Sequence, residues 1–146
     1  MRMRVVLFLL VICFVQGCAT MHDVVQAKQD GSEGTTVTYE VKKAQAWDIA
    51  KTVFRWEGCD AIEEHPEQDY MLTSSGMNLV SWGTVMGAWV VPVDADHTRV
   101  TVVTKRRVTL NVATTLTEGT FQKRFAQAVE IVKSGQQLPA LAPPSK

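Results

Sequence analysis

The chain has 146 residues, with 15 basic and 15 acidic side chains and no net charge, and 46% of it is hydrophobic. That balance gives no electrostatic footprint for a nucleic acid. The length suits one domain with a real core rather than two.

The first element is a signal. Arg2 and Arg4 form a basic start, Val5 to Val15 run apolar without a charge, and Gln16-Gly17-Cys18 follows. A basic start, a short apolar core and a small residue at the cut have the layout of a secretory signal peptide. The apolar run is well short of the roughly 20 residues a membrane-spanning helix needs. Val15-Gln16-Gly17-Cys18 resembles the lipobox of bacterial lipoproteins, in which an apolar, a variable and a small residue precede an obligatory cysteine. Gln16 departs from the commoner small or apolar choice. The resemblance implies that residues 1–17 are removed, that the Cys18 thiol carries a diacylglyceryl group, and that the new amino group is acylated. Ala19 is not the Asp that marks inner-membrane retention, so in a Gram-negative host it implies the outer membrane, facing the periplasm. Each buried methylene contributes about 0.8 kcal/mol, and two or more chains anchor stably where one does not.

Losing Arg2 and Arg4 with the signal leaves about 129 residues and a net charge of about −2. Cys13 departs with the signal, and Cys59 is then the only thiol beside the lipidated one, so no intramolecular disulfide is expected. Residues 18–35, with Gln26, Lys28, Gln29, Asp30, Gly31, Ser32, Glu33 and Gly34, read as a flexible tether. The globular domain is expected over 36–135.

Within that domain, Val37, Tyr39 and Val41 alternate with Thr36, Thr38 and Glu40, the period-two pattern of a half-buried strand. From Ala44 to Glu57 the period becomes helical, with Ala46, Ile49, Ala50, Val53 and Phe54 on one stripe beside Trp47, and with Gly58 as a C-terminal cap. Cys59 to Ser75 reads as two short strands around the turn His65-Pro66-Glu67-Gln68. A turn from Ser75 to Asn78 leads into an apolar run from Leu79 to Val93, broken by Gly83 and Gly87. After the turn Asp94-Ala95-Asp96-His97, the β-branched run from Thr98 to Val108 completes an antiparallel hairpin. Phe121, Phe125, Ala128, Val129 and Val132 then mark a second helix, capped by Thr117 and Glu118 and ending near Gly135. Residues 136–146 are Pro-rich and are expected to be disordered.

The order β-α-β-β-β-β-α predicts an α+β fold: an antiparallel sheet of about five strands with two helices packed on one face. That order is distantly similar to the helix-grip domains of envelope lipoproteins such as BamC, at the level of element order over 36–135. The resemblance implies an accessory or binding domain that works through contacts rather than chemistry.

The residues themselves give no catalytic set. His22, His65 and His97 are separately placed without the convergent ligands zinc requires, and the acids near His65 and His97 read as solvated turn formers, so no metal or cofactor is expected. Ser74, Ser75 and Ser81 lack the Gly-x-Ser-x-Gly context of a nucleophile, and Cys59 reads as a small buried hydrophobe. The acidic stretch Glu57, Asp60, Glu63, Glu64, Glu67, Asp69 and the basic strand Arg99, Lys105, Arg106, Arg107 read as solvated or cross-paired surfaces. Trp82, Met86 and Trp89 are the candidate binding residues. A regular strand would send Trp82 and Met86 to one face and Val85 and Trp89 to the other, leaving a second apolar face for a helix, a partner or a ligand to cover. A bend at Gly83 or Gly87 would instead bring both tryptophans into the core, and of the two this is the expected course. The expected function is a non-enzymatic, membrane-anchored accessory lipoprotein that docks an envelope protein. The alternative is a carrier or sensor holding a small apolar ligand between sheet and helix.

Overall fold

The computed structural model of the chain describes residues 19–75, 83–106 and 117–144. The fold is α+β, a five-stranded antiparallel sheet with three helices. In chain order these are α1 (Met21–Gln29), β1 (Thr35–Tyr39), α2 (Lys43–Trp56), β2 (Ile62–His65), a 3-10 turn (Pro66–Gln68), β3 (Tyr70–Ser75), β4 (Thr84–Pro92), β5 (Thr98–Arg106) and α3 (Glu118–Lys133). Strands β2 to β5 form a meander and β1 lies beside β5, giving the sheet order β1-β5-β4-β3-β2. β1 and β2 are therefore the two edges, and α2 carries the chain from one edge to the other across the sheet.

As the sequence predicts, α2 and α3 share one face. Ala46, Ile49, Ala50, Val53 and Phe54 of α2 and Phe121, Phe125, Ala128 and Val129 of α3 pack on Met71, Met86, Ala88, Val90, Val100 and Val102. Phe54 meets Phe121 at a centroid distance of 5.0 Å, and Tyr39 meets Phe125 at 4.6 Å. Both helix ends follow from local chemistry. Gly58, at φ +80°, lets the chain leave α2 so that the Cys59 N–H reaches back to the Phe54 carbonyl at 2.9 Å. At the start of α3 the Thr117 hydroxyl accepts the Thr120 N–H at 3.2 Å. The Glu118 carboxylate accepts from the Thr35 hydroxyl at 2.8 Å and the Thr104 N–H at 3.0 Å, tying that helix to β1 and β5.

The expected tether differs most. Residues 21–29 form a helix on the opposite face of the sheet, where Val24 and Ala27 pack against Leu72, Val85, Trp89 and Val103, with Met21, Val25 and Tyr70 at the margin. Four apolar residues among polar ones suffice because they fall on one side, and Thr20 with Asp23 makes a reciprocal cap: the Thr20 N–H donates to Asp23 at 2.6 Å. Strand β4 explains why a third helix is needed. Its alternation runs unbroken through Gly87, with Met86, Ala88 and Val90 on the α2–α3 face and Val85 and Trp89 on the other, so the strand does not bend at Gly87; Gly83, at φ +87°, lies just before the strand, and Trp82 is outside the described residues. A Cβ on Gly87 would lie 2.7 Å from Cζ3 of Trp89 and 2.9 Å from Cγ1 of Val24. The glycine is the floor on which the indole and α1 rest.

The expected disordered tail is a second difference. Leu138 packs against the main core, Trp56 Nε1 donates to the Pro139 carbonyl at 2.9 Å, and Gln127 Nε2 donates to the Pro144 carbonyl at 3.1 Å. Proline removes donors but leaves carbonyls free, and the side chains of α2 and α3 use those carbonyls to hold the strap.

Candidate functional site

The sequence-predicted residues do not assemble into one site. Cys18 and Trp82 lie outside the described residues. Met86 is fully buried on the α2–α3 face, whereas Trp89, 9% exposed, lies on the other face under α1, so the sheet separates these two.

Strand pairing builds a different surface. His65 of β2 opposes Tyr70 of β3, which opposes Trp89 of β4. The His65 and Tyr70 rings stack at 4.5 Å and the Tyr70 and Trp89 rings at 5.6 Å, forming an aromatic row across three strands beside α1. Glu63 holds the outer end of the row through a 2.7 Å contact with His65 Nε2. On the same face, Val91 opposes the exposed Arg99, and Val91 and Val93 are 36% and 50% exposed. This strip of Tyr70, Val91, Val93 and Arg99 offers stacking, apolar contact and one cation. The expected turn over 65–68 falls one residue short of the observed one: the 3-10 turn spans Pro66–Gln68 and Asp69 takes the left-handed conformation, so that His65 and Tyr70 become the closing pair.

A second feature lies outside α3. Tyr39, Ala126, Val129, Ile131 and Pro143 line an open groove of about 610 Å³ between the helix, the end of β1 and the C-terminal strap. The Tyr39 hydroxyl donates to Gln122 Oε1 at 2.7 Å, and burial pushes its pKa up to about 12. Among the described residues, Met86 and Phe125 are both fully buried within the main core between the sheet and helices α2 and α3.

Several of the charged groups singled out in the sequence have structural partners. Members of the acidic stretch pair with helix cations rather than with the basic strand: Lys43 with Asp69, Lys51 with Glu64 at 3.5 Å, and Arg124 with Glu57 at 3.5 Å. Trp47 Nε1 donates to Glu64 at 2.7 Å, and this bond is the main reason that carboxyl titrates below its usual range. Asp94 accepts the Asp96 and His97 N–H groups at 2.9 and 2.8 Å and also contacts His97 Nδ1, which raises the imidazole pKa. Cys59 is buried, and desolvation raises its thiol pKa, the opposite of what a nucleophile needs. Among the described residues no three His, Cys, Asp or Glu side chains converge as a metal site, and no described helix is long and apolar enough to cross a membrane.

Fold and surface together define an α+β domain with a sheet covered on both faces and a partly apolar strip beside the smaller helix. No protein-family model, curated protein or solved structure matches the chain.

Proposed function

We propose that this protein is a lipoprotein anchored through Cys18 to the periplasmic face of the outer membrane, where its domain docks an envelope protein without doing chemistry. Anchoring rests on Val15-Gln16-Gly17-Cys18 behind a basic and apolar signal. The observation that carries docking is the contrast between Met86 and Phe125, fully buried in the main core, and a surface strip that leaves Val91 and Val93 exposed beside Tyr70 and Arg99. A carrier of the expected kind would need space between sheet and helix. A second reading, an apolar ligand in the outer groove, is favoured by that groove's volume of about 610 Å³ and its Val129, Ile131 and Pro143 lining, a size within the usual range for ligand sites.

Photocrosslinkers at Val91 and at Asp48, used in intact cells with the lipidated protein, test docking. A reproducible protein adduct from Val91 alone supports it. No adduct from either position, with a small apolar molecule copurifying and lost when the partly exposed Ile131 is replaced by Glu, would favour the groove.

A further inference from the structure

We infer that the domain has no free tether and is held against the bilayer at the start of α1, so that the strip of Tyr70, Val91, Val93 and Arg99 beside that helix meets a partner seated in the same membrane and the α2–α3 layer points into the periplasm. This rests on lipidation of Cys18, proposed above, and adds an orientation to it. Only Ala19 separates that cysteine from Thr20, which already caps α1. Two residue steps reach about 7 Å at full extension, less than the thickness of one helix layer, about 10 Å.

A short linker would mean little if α1 were free to swing, but it is fixed. Val24 is fully buried and Ala27 is 5% exposed. Val24 sits so close over Gly87 that a Cβ there would be 2.9 Å from it. Past the helix, Lys105 pairs with Glu33 at 2.6 Å, and Gly34, at φ +121°, runs so close to β5 that a Cβ would lie 3.0 Å from the Val102 carbonyl oxygen. To move the anchor away from the domain the chain would have to unpack Val24 and Ala27. An acylated Cys18 seated in the interface therefore brings Thr20 and the exposed His22 next to the headgroups. Helices α2 and α3 lie beyond the sheet, about 20 Å farther out for two layers of about 10 Å each.

The test uses lipidated protein in vesicles of phosphatidylethanolamine and phosphatidylglycerol carrying a headgroup nitroxide quencher. A fluorophore is attached at His22→Cys or at Asp48→Cys, whose wild-type side chain is 75% exposed on α2; the buried Cys59 stays unlabelled. Quenching at position 22 is expected to be at least about threefold stronger than at 48, given the layer spacing. A ten-residue Gly/Ser insert after Ala19 should abolish the difference. Vesicle binding with equal quenching at both positions, or a difference that survives the insert, overturns the orientation and leaves the anchor standing. No vesicle binding and no acyl mass on Cys18 overturns both.

Discussion

The packing of α1 over Gly87 is open to a double-mutant cycle. Gly87→Ala places a methyl 2.7 and 2.8 Å from the Trp89 ring atoms Cζ3 and Cη2 and 2.9 Å from Val24 Cγ1, closer than such atoms can sit, so α1 or the indole must shift. Overpacking of this kind costs about 1–3 kcal/mol. Val24→Ala removes two methyl groups from a fully buried site, at about 0.8 kcal/mol each and about 2 kcal/mol with the residual cavity. In the double variant the second change opens part of the space that the first one needs. The combined loss should therefore be smaller than the sum by at least about 0.5 kcal/mol. The lower entropy of Ala in the unfolded chain enters both limbs of the cycle and cancels. Urea unfolding at 25 °C, followed by far-ultraviolet circular dichroism, gives all four stabilities. Additivity within about 0.3 kcal/mol would refute the contact between Val24 and Gly87, and with it the account of α1 as part of the folded domain.

Two further outcomes follow from the same packing. The Tyr39 phenol ionises in the fold only near 12, against 10 for a free phenol, because burial disfavours the phenolate. The fold then holds that proton more tightly than the open chain, so the stabilisation is complete below pH 10 and is lost as pH rises through about 12. Tyr39→Phe should flatten the stability profile over that interval while costing about 1 kcal/mol at neutral pH for the lost bond to Gln122; equal alkaline slopes in the two proteins would contradict it. Deleting residues 136–146 removes the Leu138 packing and the carbonyls that Trp56 and Gln127 use, and should lower stability by about 2 kcal/mol. An unchanged urea midpoint would mean that the strap carries no load.

The sheet and the two larger helices are legible in the sequence because their signals are long and periodic. The Ala46 to Phe54 stripe, the β-branched run from Thr98, and the caps at Gly58 and Thr117 each agree with what the folded chain does. Helix α1 is harder to read, since polar and small residues dominate the stretch from Ala19 to Thr35 and only Met21, Val24, Val25 and Ala27 fall on the packed side. What gives it away is the other half of the contact: an apolar run in β4 with Val85 and Trp89 on the face that α2 and α3 leave open. That face required a cover, and the nearest unassigned apolar residues were upstream. The strap escapes composition for a related reason, because Pro139 and Pro144 act through their carbonyls, which a reading of proline as a breaker passes over. The row of His65, Tyr70 and Trp89 depends on strand register across two pairings, and no single segment carries it.

Anchoring at Cys18 is the central claim, and mass spectrometry of the mature protein extracted from envelopes of a Gram-negative host tests it most directly. The account predicts a chain beginning at Cys18 whose mass includes a diacylglyceryl group on the thiol and an acyl group on the amino nitrogen. A soluble periplasmic chain with Cys18 unmodified, or with the signal cut elsewhere, would contradict it.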